Sequence, residues 1–415
     1  MPTQWEFDSA SGEAACSIQN YTEAEKSLVR ALKTAESYGP QDDRLVESLR
    51  NLAQAYRGEK KYSEAAPLLE RALKIREAQY SPNSEFVAQS LNDLAGVRDD
   101  LGRYDEAEAL YKRSLAIYTS VRGPIHSDVA NNLKNLASLY KDQLRYTESE
   151  RLFKQALQIR EKLLGPDNPE VANDLRSLGY VYFLQKRFAE AESLYKRALS
   201  IDDKSLLDRR NSAIDMSLLA STYESEKNYK EAERLYSRSL EMAEGMYGSY
   251  HPEVAKILQK EAICYEQQDK YAESEQLYKR SLEILEKALG GDNPDVASSL
   301  EYSASLYWKQ GKFSDSVPLL ERALKIREKS LGPEHPSVAH NLLWQAETME
   351  KQGKNALAEG QFKRALQISE TTLGPNSTDV AICLQAYAAF LRKTNRKSEA
   401  ATLEMRANAI QKEHK

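Results

Sequence analysis

The chain has 415 residues, and its 58 Lys and Arg against 63 Asp and Glu give a formal charge of −5, which excludes a strongly basic nucleic-acid-binding protein. Only 17 Gly and 13 Pro are present, which indicates long helices with few turns. The three cysteines, Cys16, Cys264 and Cys383, form no C-x-x-C pair, so neither a disulfide framework nor a zinc site is expected. The sequence shows no secretion signal and no apolar run long enough to enter a membrane, and it predicts a cytoplasmic protein.

A block of about 42 residues recurs along the chain. Each block opens with a phrase such as Glu170-Val-Ala172, and the residue after Val serves as the marker of the block. The markers lie 41 or 42 residues apart, at Val46, Ala88, Ala130, Ala172, Ala213, Ala255, Ala297, Ala339 and Ala381. A fixed period of this length predicts a repeat array rather than two or three separate domains.

Each block contains two amphipathic helices, because apolar residues recur at spacings of three, four and seven on both sides of a short break. In chain order, residues 1–44 are expected to form a degenerate N-terminal helix pair that caps the array. Residues 45–379 form eight repeats, with an irregular junction near 205–212, and residues 380–415 form a last repeat and cap. The predicted fold is all-α, with about ten helix pairs.

The segments between blocks carry signals for the end and the start of a helix. In the block that ends near residue 164, Gly165 can adopt a positive φ that stops a helix, Asn168 can cap the next helix, and Pro169 suits its first turn. His251 and His335 occupy the position of Asn168 in later blocks. We therefore interpret these histidines as helix caps rather than metal ligands.

One column of every second helix holds only Ala or Ser, which predicts close packing against a neighbouring helix. Its members are Ala31, Ala72, Ser114, Ala156, Ala198, Ser239, Ser281, Ala323, Ala365 and Ala407. With a second small column in the first helices, this resembles the tetratricopeptide pattern of interlocked helix pairs.

The period and two recurrent phrases make the resemblance more specific. Leu-Gly-Pro-Asp-Asn-Pro-Glu-Val-Ala at 164–172 and Leu-Tyr-Lys-Arg-Ala-Leu-x-Ile at 194–201 resemble the 42-residue repeats of kinesin light chains and of related stand-alone bacterial arrays. The resemblance covers roughly residues 42–415. It implies a right-handed α-α superhelical solenoid whose first helices line a concave face that binds peptides. The heptad coiled coil through which kinesin light chains join the motor is not seen, so a motor subunit is not expected.

No motif for a phosphate-binding loop, a zinc protease or a serine hydrolase occurs, so we expect no enzyme activity and no cofactor or metal. By resemblance, function lies on the first helices, at columns 5 and 12 counted from the marker. These columns carry a summed charge of +4 in the first four full repeats and −3 in the remaining five. The resemblance implies contacts to an acidic or aromatic-acidic peptide from Arg50, Arg57, Asn92, Lys134, Lys141, Arg176 and Phe183.

The later repeats break the pattern in two neighbouring columns. Column 7 changes from Leu to Glu261, Ser303 and Gln345, while bulky aromatic residues enter nearby. Either the last helix pairs rotate and repack, or they expose an aromatic patch that is a possible second surface, formed by Tyr302, Trp308 and Trp344.

The sequence thus predicts a non-catalytic scaffold for protein–protein interaction that binds extended peptide segments, with no nucleic-acid partner and no membrane insertion. Two alternatives stay open: a structural assembly protein that self-associates, and a regulatory subunit of a separate effector enzyme. A clamp for chaperone C-terminal carboxylates is not expected, because it needs Asn in column 9, where this chain has Gln54, Gly96, Ser138 and Tyr180.

Overall fold

A computed structural model of the chain describes residues 3–17, 20–204 and 209–413. The described residues form twenty α-helices and no strand. The helices are arranged as ten consecutive pairs, and the two helices of each pair pack closely against each other. The predicted all-α pairing is therefore confirmed. Of the irregular junction expected near 205–212, residues 205–208 lie outside the described residues.

The helices belong to two compact units. The N-terminal unit, Met1–Leu206, contains α1 (Gln4–Ser17), α2 (Tyr21–Glu36), α3 (Asp43–Gly58), α4 (Tyr62–Gln79), α5 (Glu85–Asp100), α6 (Tyr104–Arg122), α7 (Ser127–Asp142), α8 (Tyr146–Leu164), α9 (Pro169–Leu184) and α10 (Phe188–Lys204). The C-terminal unit, Leu207–Lys415, contains α11 (Arg209–Ser225), α12 (Tyr229–Tyr247), α13 (Pro252–Glu266), α14 (Tyr271–Leu289), α15 (Pro294–Lys309), α16 (Phe313–Leu331), α17 (Pro336–Lys351), α18 (Asn355–Leu373), α19 (Thr378–Lys393) and α20 (Lys397–Glu413).

The helix ends follow the predicted local chemistry. Gly165 ends α8 with a φ of 85°, and the Asn168 side chain accepts a hydrogen bond of 2.9 Å from the Glu170 backbone N–H at the start of α9. His251 and His335 cap α13 and α17 in the same way, through Nδ1 at 3.2 and 3.1 Å from a backbone N–H. The cap interpretation of both histidines is confirmed.

The column of small residues lies at the closest approach between helices, and all ten members are fully buried. Where the column holds Ser, the hydroxyl donates to a backbone carbonyl of the preceding first helix. Ser114 donates to Ala88 at 2.8 Å and Ser239 to Ala213 at 2.8 Å. A longer side chain here would push the two helices apart, so the column fixes their spacing.

Inside each unit, successive first helices approach one another more closely than successive second helices do, as α5 approaches α7 and α13 approaches α15. The first helices therefore form the inner side of each stack, and the second helices form the outer side. None of the described helices combines the length and apolar character that crossing a bilayer requires.

Candidate functional site

The predicted binding residues of the N-terminal unit lie on the inner side, on α3, α5, α7 and α9, but their arginines already have acidic partners. Arg50 Nε lies 2.5 Å from Asp93 Oδ2, and Arg57 Nε lies 2.6 Å from Asp100 Oδ2. Each partner follows its arginine by 43 residues, on the next first helix. The pairs join neighbouring repeats and cancel the charge of both arginines.

Arg176 is the least accessible member of the predicted set, since only 9% of the residue is exposed. Its guanidinium donates to Asp202 at 2.5 Å, and Asp202 is itself 1% exposed. A charge buried with its counter-ion holds α9 against α10 and is not offered to a ligand.

Lys134 lies beside a second buried ion pair. Its ammonium group is 3.3 Å from Asp174, which is fully buried and accepts a hydrogen bond of 2.7 Å from Arg160 Nε. One-third of the Lys134 side chain remains exposed. Lys134 therefore contributes to the fold and to the surface at the same time.

Lys134 and Lys141 line one recess of about 200 Å³ between α7 and α9, with the exposed ring of Tyr180 as the opposite wall. Lys141 Nζ lies 5.7 Å from the centre of that ring and 3.1 Å from Asp142 Oδ1. Tyr180 stacks on Phe183 with ring centres 6.4 Å apart. The recess thus places two ammonium groups beside an aromatic surface, an arrangement suited to a carboxylate next to an apolar group.

A larger recess of about 450 Å³ lies between α1, α3 and α5. Cys16 stands in the column of Lys141 and Phe183, and Gly58 stands in the column of Asp142 and Leu184, so both are smaller than their counterparts in later repeats. The ion pair of Arg57 with Asp100 forms one edge.

Asn92 joins the same inner side through amide contacts. Its Oδ1 accepts hydrogen bonds from Asn135 at 2.9 Å and from Asn132 at 3.4 Å, which connect α5 to α7. Amide groups at this place can exchange partners with an extended backbone.

The three aromatic residues of the possible second surface lie in different surroundings. Tyr302 is 39% exposed and stacks on Tyr278, Trp308 packs edge-on against Phe313, and Trp344 is half-buried on α17. The column-7 residues Glu261 and Gln345 nevertheless stay buried. The helices therefore keep their register and accept polar residues inside.

Columns 5 and 12 alone do not describe the charge of the inner side. Columns 6 and 13 of the next repeat lie directly opposite them, and they bring in Asp93 and Asp100. The constant separation of 43 residues between opposite charges was the signal that could have shown this pairing. Tyr180, in column 9, was also missed as a site residue, and its position one helical turn from Phe183 was the available signal.

Among the residues that the structure describes, no group of three or more His, Cys, Asp or Glu is arranged to hold a metal ion.

No curated protein matches the chain. Several solved structures share the fold. The quorum sensor NprR from B. thuringiensis, in its apo form, is 13% identical with a TM-score of 0.57, and the match covers 77% of this chain and 86% of that one. A Rap protein complexed with Competence and Sporulation Factor is 15% identical with a TM-score of 0.50, over 89% of this chain and 98% of that one.

A putative kinesin light chain from Podosopora anserina with nearly identical TPR-like repeats is 22% identical with a TM-score of 0.43, over 49% of this chain and 98% of that one. The predicted resemblance to tetratricopeptide repeat proteins is confirmed by a family model. The tetratricopeptide repeat family model matches residues 8–78, 60–120, 86–143, 128–204, 212–287, 257–329 and 337–413. Because these matches span most of the sequence, the chain belongs to the tetratricopeptide repeat family.

Proposed function

We propose that the protein is a non-catalytic interaction scaffold that binds an extended acidic or aromatic-acidic segment of a partner protein on the inner side of its N-terminal unit. The observation that carries the proposal is the recess of Lys134, Lys141 and Tyr180, which joins two cationic groups to an exposed ring. The family supports the general role, since tetratricopeptide arrays act as interaction modules.

The recess is suited to a carboxylate because its lysines are only partly in water. The exposed fractions of the Lys134 and Lys141 side chains are 32% and 22%, and their present partners are acidic groups of the protein itself. A ligand carboxylate would share these ammonium groups in a partly dehydrated place, where a charge-assisted hydrogen bond is stronger than on an open surface. Tyr180 would stack with an aromatic side chain next to the acid.

The other predicted residues take different roles in this proposal. Phe183 supports Tyr180, Asn92 offers an amide to the segment backbone, and Arg57 lies at the edge of the larger recess. Arg50 and Arg176 act through the fold, because each already holds an acidic partner. The Rap protein with the same fold is complexed with a factor, which supports ligand binding by an array of this kind.

A selection from displayed random peptides on the full chain tests the proposal. We expect enrichment of peptides with an acidic residue beside an aromatic one. Lys141→Glu and Tyr180→Ala should each weaken binding of a selected peptide by about tenfold or more, a range typical of the central contacts of an interface. Lys74→Glu is the matched control, since Lys74 is an exposed lysine on the outer helix α4.

If Lys141→Glu and Tyr180→Ala leave the binding of the selected peptides unchanged, this assignment of the site is wrong. In that case Trp308→Ala and Tyr302→Ala would test the aromatic residues of the C-terminal unit in the same assay. Absence of any enrichment together with concentration-dependent association would favour the assembly alternative.

A further inference from the structure

An Arg–Glu pair joins consecutive helix pairs on the outer side of each unit. The arginine lies on one second helix and the glutamate 35 or 36 residues earlier, on the preceding second helix, as in Arg113 with Glu77 at 2.8 Å and Arg197 with Glu161 at 2.6 Å. Within the described parts of the two units, the pair recurs at every junction between consecutive helix pairs except one. Its members are Arg71–Glu36, Arg113–Glu77, Arg197–Glu161, Arg280–Glu244, Arg322–Glu286, Arg364–Glu328 and Arg406–Glu370.

The exception lies between the pair α5–α6 and the pair α7–α8, which we name the central junction. Gln155 stands there in the place of the arginine and Thr119 in the place of the glutamate. The Thr119 hydroxyl donates to the Leu115 carbonyl of its own helix at 2.7 Å. The outer side of this junction therefore lacks the ion pair that its counterparts have.

The inner side of the central junction differs as well. At other junctions, residues 43 apart bring opposite charges together, as in Arg57 with Asp100 at 2.6 Å and Glu350 with Lys393 at 2.5 Å. The equivalent positions here hold Asp99 and Asp142, which carry the same charge. Burial, followed by the charge of Asp142, raises the pKa of Asp99 to about 6.

The groups that face Asp99 do not replace the missing cation. From α7 it faces Asp142 and Lys141, and from α3 it faces Arg57. Lys141 lies against Asp142 at 3.1 Å, and Arg57 is held by Asp100, the neighbour of Asp99 on α5.

From α6, Asp99 faces two phenols, Tyr104 and Tyr111, and burial raises the pKa of both, so they stay neutral across the physiological range. Among the described residues, no cationic group forms an ion pair with Asp99. The negative charge of Asp99 is therefore repelled by Asp142 across the junction and is not balanced by an ion pair among the described residues.

We propose that the central junction is a pH-sensitive hinge in the N-terminal unit, which is held closed when Asp99 is protonated and loosens when Asp99 and Asp142 are both charged. Hydrogen bonds across the junction survive in either state and keep the pairs connected, among them those from Asn135 to Asn92 at 2.9 Å, from Tyr140 to Glu108 at 2.9 Å and from Arg145 to Glu108 at 2.8 Å. The hinge separates the larger recess, on α1 to α5, from the lysine recess, on α7 and α9. Opening would change the spacing of the two recesses without altering either one, and the hinge does not depend on the proposed peptide binding.

The sign of the pH effect follows from the direction of the shift. The pKa of Asp99 in the closed junction lies above its ordinary value of 3.8, so closure is favoured most below that value. This preference for the closed state is lost as the pH rises through about 6.

Hydrogen exchange of the full chain at pH 5 and pH 7.5, corrected for intrinsic rates, tests the hinge. We expect amides of α6 and α7 that face the central junction to lose protection at pH 7.5, while those between α3–α4 and α5–α6 do not. Thr119→Glu/Gln155→Arg supplies the missing outer pair and should slow exchange at the central junction about two- to fivefold, the effect of one exposed ion pair. Asp142→Lys should also remove the pH dependence, because it supplies a cation opposite Asp99.

A reciprocal variant is the matched control. Glu77→Thr/Arg113→Gln gives the neighbouring junction the residues of the central one and should speed exchange there by a similar factor. Circular dichroism of each variant establishes that the helices are intact. Equal protection at both junctions at both pH values, or exchange unchanged by Thr119→Glu/Gln155→Arg, would overturn the proposal, and the latter result does so even if Asp142→Lys fails to fold.

Discussion

At the scale of single residues, the repeat tolerates buried polar groups in a column that holds leucine in the earlier repeats. Glu261 occupies column 7, where Leu219 stands in the preceding repeat, and it is 5% exposed. Its carboxyl group accepts one long hydrogen bond, of 3.4 Å, from Ser237. Burial raises the pKa of Glu261, because the charged form loses its hydration without gaining a cation.

Glu261→Leu should therefore stabilise the protein by about 1–3 kcal/mol near neutral pH, the cost of an unsatisfied buried polar group. The pKa of Glu261 in the folded state lies above the ordinary value of 4.5, so stability at this site is greatest below that value and falls as the pH rises. The gain from the leucine should grow in the same direction. Urea denaturation at pH 4.5 and pH 8 measures it, with Glu273→Leu, at an exposed position of α14, as the control. A gain that does not change with pH would contradict this account.

Gly179 shows a close approach that only glycine permits. A Cβ atom at this position would lie 2.8 Å from Cε1 of Tyr195, which is 1% exposed and fixed by the core. Gly179→Ala should destabilise the protein by about 1–3 kcal/mol through overpacking. Gly360→Ala, in the helix α18 where a Cβ would meet open space, should instead stabilise it by about 0.5–1 kcal/mol. Thermal unfolding of both variants measures these changes. Shifts of the melting temperature that are equal and of the same sign would contradict the packing described.

At the scale of helices, the features that depend on local chemistry were predicted from the sequence. The ion pairs between residues far apart in the chain were not. The caps at Asn168 and His251 and the buried small column depend on neighbours along the chain or on the repeat period, so the sequence alone was sufficient. The pairing of Arg50 with Asp93 depends on how far one first helix is displaced along the next. That displacement is set by helix packing. The charge that we summed over columns 5 and 12 therefore left out the acidic residues that packing brings opposite them.

The ion pair of Arg160 and Asp174 is a buried charged link between helices in the N-terminal unit. Arg160 is 5% exposed, donates to Asp174 at 2.7 Å and to Asn131 at 2.8 Å, and joins α8 to α9 and α7. Ala243 and Ile257 stand at the equivalent positions of one junction in the C-terminal unit, and both are buried in one apolar cluster, so an apolar pair fits the same place.

Arg160→Leu alone should cost about 3–5 kcal/mol, because it leaves the buried carboxylate of Asp174 with the partly exposed Lys134, at 3.3 Å, as its remaining cation. Arg160→Leu/Asp174→Ile should recover at least half of that loss, because an apolar pair replaces the ions. Urea denaturation of the two variants measures the difference. A double variant no more stable than the single one would show that the loss does not arise from an unpaired buried charge.

At the scale of the whole molecule, the array consists of two compact units, each with an inner side of first helices. The expected boundaries at residues 44 and 379 separate caps from repeats and stay predictions. The sequence identified the inner side as the candidate surface through the family resemblance. It could not identify which lysines remain accessible, because that depends on partners such as Asp174 and Asp142, which packing brings close.

The central claim is that a bound segment lies along the inner side with its acidic residue at Lys141. A charge exchange between Lys141→Glu and a selected peptide whose acidic residue is replaced by lysine tests it most directly. The account predicts that either change alone weakens binding about tenfold or more and that the two together restore most of the affinity, which is a coupling of more than 1 kcal/mol. Independent effects of the two changes would contradict it, because the two groups would then not be in contact.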